Sequence, residues 1–236
     1  MPNPYFRFKQ FAIYHDKCAM KVGVDGVTLG AWADIAGAKS ILDVGCGSGL
    51  IALMLAQRSA AKITAIDIDE QSIVQAEENV KNSPWRDRIS ILHHSFQDFA
   101  AITSESFDLI VSNPPFFVNS LKTPSQARTT ARHNDSLSHA DIIQNAKKCM
   151  KKSGRLCLIL PILEGNQFVD SAEKEGLFCS KKISLFPNPT KPAKRFLLEF
   201  RFEQAACEES DLTIEKERNV YTAEYEDIVK DFYLYL

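Results

Sequence analysis

The chain has 236 residues, a formal net charge of −2 at pH 7 and ordinary charged and apolar fractions, enough for one large α/β domain with a core of its own. The opening MPNPYFRFKQF lacks the charged head and apolar stretch of a signal peptide, and the longest apolar run, LCLILPIL from Leu156, is interrupted by Pro161 and too short for a bilayer, so neither export nor membrane insertion is expected. The six cysteines (Cys18, Cys46, Cys149, Cys157, Cys179, Cys207) are scattered with no CxxC or Cys/His pairing, which predicts no metal site and buried free thiols in the cytoplasm.

Residues 1–39, rich in aromatics and glycine, fit no repeat and read as an N-terminal cap segment. SILDVG (40–45) is an apolar strand bounded by glycine, and SGLIALMLAQRSA follows with helical spacing at Leu50, Leu53, Met54 and Gln57. KITAID is a second strand; DEQSIVQAEENVKNS puts Ile73, Ala76 and Val80 on one helical face with acids in its first turn. ISILHH and SFDLIVSN are the third and fourth strands, followed by a long loop from Phe117 to Ser138. A loop of that length in a compact domain is usually functional or disordered. HADIIQNAKKCMKK reads as a helix stopped by Ser-Gly, RLCLILP as a fifth strand, GNQFVDSAEKEG as a helix, and SKKISLF with RFLLEFRF as a closing pair. This alternation predicts a single domain over 1–236, built on a mostly parallel sheet with helices on both faces. Ligands of such sheets bind beyond the strands' carboxyl ends, where the strand order reverses.

Charge is uneven along the chain. Between 116 and 201 Lys and Arg outnumber Asp and Glu about two to one, whereas 203–236 carries 10 acids against 3 bases. The first segment is either a solvated face or a surface that meets a polyanion; residues 204–236 read as an acidic tail.

LDVGCGSG sets Asp43, Gly45, Gly47 and Gly49 at a strand-to-helix turn. Glycines there permit positive φ and a close backbone approach to a ligand. The spacing is G-x-G-x-G, not the G-x-G-x-x-G of dinucleotide folds, and a pyrophosphate at a helix N-terminus would be repelled by Asp43. A sulfonium or ammonium would not. Asp67 lies 22 residues after Gly45, at the end of the second strand, where a carboxylate can grip both hydroxyls of a ribose. Asp98 follows the third strand, where it can accept from an adenine amine, and Ile68 and Phe99 beside the two acids join the same expected pocket. Alone the glycine stretch is a tight turn. With acids in this order at successive strand ends it resembles the S-adenosylmethionine pocket of class I methyltransferases. That resemblance implies their Rossmann-like fold, a seven-stranded sheet with an antiparallel last strand, and S-adenosylmethionine as cofactor.

SNPPFF (112–117) ends the fourth strand. Alone it is a rigid turn; beside such a pocket it resembles the [DNS]-P-P-[YFW] motif of methyltransferases acting on planar, amide-like nitrogens. An exocyclic amine conjugated with its ring has no free lone pair, so two acceptors aimed at its N–H groups help more than a base. The resemblance gives these roles to the Asn113 side chain and the Pro114 carbonyl, stiffened by Pro115, with Phe116 stacking on the base. FRFKQFAIYHDKCAMKVGVDGVTLGAW (6–32), ARHNDSLSHADI (131–142) and PTKPAKRFLLEF (189–200) extend the likeness. Together with the glycine turn and NPPFF, they resemble the bacterial tRNA (adenine-N6)-methyltransferases that modify the adenosine 3′ of the anticodon in a valine tRNA. Val24 stands where that family more often has threonine. The family reading sets Lys21 and Asp25 near the cofactor's methionine end, against a helix start capped by Asp25. It sets Arg132 and His133 on RNA or at the cofactor mouth, against a loop-anchoring pair, and Lys191, Lys194 and Arg195 on RNA phosphates, against a solvated face. A guanine-N2 rRNA or glutamine-N5 protein methyltransferase uses the same Asn-Pro-Pro logic, and a nucleotide-binding module without catalysis is the reading from another class.

Overall fold

The structure, a computed structural model, describes residues 3–18, 20–115 and 137–235. Phe116, Arg132 and His133 lie outside the described residues.

In chain order, the strands β1 (Tyr5–Arg7) and β2 (Ala12–Tyr14) pair as a hairpin and α1 (Val24–Trp32) follows. Then come β3 (Ser40–Val44), α2 (Leu50–Arg58), β4 (Lys62–Asp67), α3 (Glu70–Lys81), β5 (Ile89–His93), α4 (Phe96–Ile102) and β6 (Phe107–Ser112). After the undescribed stretch come α5 (His139–Cys149), β7 (Met150–Pro161), α6 (Ile162–Lys174), β8 (Phe178–Phe186) and β9 (Arg195–Arg201). The chain ends with β10 (Glu208–Thr213), β11 (Glu215–Glu217), β12 (Val220–Tyr221) and α7 (Ala223–Val229).

The central sheet runs β10-β8-β9-β7-β6-β3-β4-β5, with β9 antiparallel to both neighbours and every other pairing parallel. It therefore has one strand more than the sequence predicts. The extra strand, β10, comes from the segment expected as an acidic tail. Its residues EESDLT have no apolar alternation to betray a strand; Glu208 and Glu209 register against Lys181 and Lys182, Lys182 Nζ lies 3.2 Å from Glu209 Oε1, and Leu212 packs against the core.

Alternation along each strand divides the core. Ile41, Ile63, Ala65, Leu109, Val111 and Ile159 face α1, α2, α3 and α7, whereas Leu42, Val44, Ile66, Ile110, Leu156 and Leu158 face α4, α5 and α6. The expected helix through Lys152 ends at Cys149, because Met150 already pairs with Phe107 across β6. The sheet's order turns back beside β3, flanked by β4 on one side and β6 on the other. The carboxyl ends of β3, β4, β5 and β6 therefore meet at one edge.

Candidate functional site

At that edge the turn from β3 to α2 is built on three left-handed glycines, with φ of 72° at Gly45, 53° at Gly47 and 78° at Gly49. Gly45 and Cys46 donate their backbone N–H groups to the Ile66 carbonyl, and Gly47 N donates to Asp67 Oδ2 at 2.8 Å. A Cβ at Gly45 or Gly47 would meet nothing within 4 Å, whereas one at Gly49 would touch Ala76 of α3. The first two glycines thus leave open space for a ligand, and the third lets α3 pack close.

Two cavities flank the turn. The larger, about 290 Å³, is walled by Gly45 and Gly47, by Ile66, Asp67 and Ile68 after β4, by His94–Gln97 at the start of α4, and by Asn113 and Pro115. The smaller, about 270 Å³, lies on the other side of the turn under Lys21, Asp25 and Gly26. Met20, Gly45, Gly47 and Asn113 line both. Asn113 thus stands at their junction, and its Oδ1 is buried with no hydrogen-bond partner. Pro114 is buried and Pro115 exposed. Ser112 Oγ donates to the Val44 carbonyl at 2.8 Å and fixes this exit to the glycine turn.

The expected residues separate here. Asp67 accepts from Gly47 N on Oδ2 and from Asp69 N, 3.0 Å, on Oδ1, so each oxygen keeps further acceptor capacity, and the residue lines the larger cavity. Ile68, 48% exposed, supplies the cavity with an apolar edge. Asp43 lines neither cavity. Strand alternation turns it with Ile41 toward α2, fully buried, where Oδ2 accepts from Ala52 N at 3.0 Å and Oδ1 has no partner. Burial, with a smaller push from Asp67, raises its pKa to about 7 against the Ala52 hydrogen bond.

Asp98 is exposed and lines neither cavity: with Ser95 it caps α4, Ser95 Oγ donating to its Oδ2 at 2.7 Å and accepting its backbone N–H at 3.0 Å. Ser95, Phe96 and Gln97 stand at the cavity in its place. The Ser-x-x-Asp capping pattern in the sequence is the signal that could have found this helix start. Phe99 is buried among the core rings, 6.1 Å from Phe107.

Lys21 and Asp25 both line the smaller cavity. Asp25 is not a cap, since Gly23 precedes α1 and no side chain bonds there; its Oδ2 accepts from Arg195 Nε at 2.8 Å. Arg195 is therefore tied to α1 rather than presented with Lys191 and Lys194, which are exposed on the loop joining β8 to β9 at the same sheet edge. Asn79 and Gln75 were missed by sequence reasoning. Asn79 exchanges hydrogen bonds with Tyr14 (2.9 and 2.8 Å) and donates to the Ser48 carbonyl; Gln75 accepts from Lys17 N. Together they clamp residues 14–17 on α3, so that Cys18 and Met20 reach the larger cavity. Nothing but three-dimensional proximity marks them. Burial raises the Cys46 thiol well above its ordinary value, which suits a filler. No cluster of three metal-ligating side chains occurs among the described residues.

The Methyltransferase small domain family matches residues 32–166. Curated relatives carry the name tRNA1(Val) (adenine(37)-N6)-methyltransferase. One from Trichodesmium erythraeum is 49% identical over 99% of both chains, one from Phocaeicola vulgatus 48% over 99% of both, and one from Photorhabdus laumondii 42% over 98% of this chain and 95% of its own. Among solved structures, a predicted O-methyltransferase from Agrobacterium tumefaciens superposes with a TM-score of 0.66 at 19% identity, covering 88% of this chain and 96% of its own. A methyltransferase from Pyrococcus furiosus gives 0.51 at 20% identity, covering 71% and 77%. These two share the fold.

Proposed function

The chain belongs to the tRNA1(Val) (adenine-N6)-methyltransferase family, and on that premise we propose that it methylates the exocyclic N6 of the adenosine just 3′ of the anticodon in that tRNA, with S-adenosylmethionine as donor. Three features support the fit of the donor. Gly45 and Gly47 leave room at the turn, Asp67 keeps a lone pair on each oxygen for a ribose diol, and Asn113 carries an unpartnered buried oxygen between the two cavities. Asp67, Ile68 and the Ser95–Gln97 wall would hold the nucleoside end, and Lys21 and Asp25 the amino-acid end.

Bound S-adenosylmethionine supplies an electrophilic methyl group. The chain's part is to orient the nucleophile. Asn113 Oδ1 accepts one N6–H and the Pro114 carbonyl the other, which turns the nitrogen lone pair away from the ring's conjugation and toward the donor. No base is needed first, because the methylated nitrogen is a strong acid that sheds its proton to solvent. Phe116 is assigned to stack on the adenine. Arg132 and His133 stay assigned to the RNA or the cavity mouth.

The observation that carries this reading is the unpartnered Asn113 oxygen at the junction of the cavities. Guanine-N2 and glutamine-N5 transfer would use the same acceptors, and the relatives' names favour neither. Six free thiols support a reducing, cytoplasmic setting, and no helix among the described residues is long and apolar enough to cross a membrane. The test is incubation of total tRNA with the protein and labelled donor, followed by nucleoside analysis. N6-methyladenosine in the valine tRNA is expected; label in guanosine, or in protein alone, would overturn the assignment.

A further inference from the structure

We propose that a groove between the β1–β2 hairpin and the C-terminal segment is a stacking site for the unpaired nucleotides flanking the target adenosine, an inference that rests on the tRNA reading above. The groove, about 580 Å³, is lined by Tyr5, Phe6 and Arg7 on one side and by Tyr221, Tyr233 and Tyr235 on the other. Its volume is that of sites that take a drug-sized organic molecule, about 300–1,000 Å³.

Three observations select the occupant. The first is adjacency: Gly23 and Val24 line both this groove and the smaller cavity assigned to the donor's amino-acid end, so the groove lies beside the donor site, within reach of the nucleotides next to an adenosine at Asn113. The second is the exposure of rings. Tyr5 is 40%, Phe6 37% and Tyr235 89% exposed; singly such residues are normal, but here they share one concave surface. They rest on a fixed floor, because Tyr233 stacks on Tyr221 at 5.8 Å and 21° and on Phe8 at 6.1 Å and 10°. The third is charge: the described lining holds one cation, Arg7, and no carboxylate, although the surrounding C-terminal segment is acidic. Aromatic faces with one guanidinium and no anion suit nucleobases, whose faces stack regardless of sequence. The tyrosines would then splay the loop and feed the adenosine to Asn113, while phosphates meet Lys191 and Lys194 on the loop joining β8 to β9.

The experiment uses the full chain and an anticodon stem-loop carrying 2-aminopurine at the position 5′ or 3′ of the target adenosine. On binding, quenching is expected at one or both positions. Tyr235→Ala and Tyr5→Ala should each relieve it and weaken stem-loop affinity by roughly 5- to 150-fold per base unstacked. Tyr235→Trp should restore both. Donor affinity and the salt dependence of RNA binding should stay at parental values, which separates stacking from a folding defect or a phosphate contact. Unchanged quenching and affinity in both alanine variants, with the parent still methylating tRNA, would overturn the groove alone. So would a parental dimer that Tyr235→Ala dissociates, since a second copy would then fill the groove. A parent that leaves tRNA unmethylated overturns the functional reading first, and this one with it.

Discussion

Asn113 and Asp67 line the same cavity, yet their contacts predict different failures. Asn113 makes no structural hydrogen bond through Oδ1, so Asn113→Ala should leave donor binding near normal while single-turnover methylation falls by about 100-fold or more. Asp67 holds Gly47 N and Asp69 N as well as facing the cavity, so Asp67→Ala should lose donor affinity in a calorimetric titration. Turnover with normal speed in the first, or normal affinity in the second, would reassign them. Asp43 carries a pH signature. Its folded pKa of about 7 lies above the ordinary 3.8, so the native state binds the extra proton. The stability that Asp43 contributes is then fully present below about pH 4 and is lost as pH rises through about 7, with a slope of up to about 1.4 kcal/mol per unit. Asp108, which Lys151 and Ser40 hold at about 2 against partial burial, acts only below that window. Urea unfolding between pH 5 and 8 should show the slope in the parent and a flatter line in Asp43→Asn; parallel lines would mean Asp43 is ionised when folded. Both acids at positions 43 and 98 were legible as strand-end carboxylates, but not their orientation. Which face Asp43 takes depends on which helix the strand packs against, and Asp98 is claimed by its own helix start.

The turn from β3 to α2 joins two elements that periodicity made plain, and its glycines should divide by what lies beyond them. Gly47→Ala and Gly49→Ala both force an L-residue into left-handed backbone, costing roughly 1–2 kcal/mol each. At Gly47 the new methyl enters the open space between the cavities, so donor affinity should also drop sharply; at Gly49 it meets Ala76 at 3.4 Å, so stability should fall with affinity kept. Thermal melts with and without donor separate the two, and equal loss of affinity would remove the cavity from Gly47. Elements outside the repeat were illegible for physical reasons. In α1, residues Gly26 to Ala31 are all buried, so no polar face marks the helix and the sequence offers only its start at Asp25, as an alternative. The strand β7 begins three residues before Ser153 because pairing with β6 overrides the helical propensity of Met150–Lys152.

Across the whole molecule, charge and architecture are distributed differently from the way the sequence suggests. The acidic end is not an appendage: β10 closes one sheet edge, Tyr225 is buried against α1 with its hydroxyl 3.2 Å from Thr28 Oγ1, and Val229 and Phe232 enter the core. Its acids are partly spent on Lys182 and on its own Lys230. The basic stretch 116–201 likewise divides. Lys122, Arg128 and Arg132 lie outside the described residues; Lys151 pairs with Asp108, Arg155 with Asp34, and Arg195 with Asp25. Lys191 and Lys194 stay exposed at the edge where the cavities open. Binding of tRNA should therefore be salt-dependent despite the net charge of −2, each phosphate neutralised on single-stranded RNA adding about 0.7 to the log–log slope. Lys191→Ala and Lys194→Ala should each make the slope shallower by about one such contact and weaken different tRNAs alike, because phosphate contacts position the RNA without reading it. Arg195→Ala should behave otherwise: it strips Asp25 of a partner on the wall of the smaller cavity, so donor affinity should fall while the salt slope holds. A filter-binding series in potassium chloride, paired with donor titrations, separates these effects. If Arg195→Ala flattens the slope as the lysine variants do, the Asp25 pair yields to RNA; if no variant changes it, the exposed lysines are solvated surface.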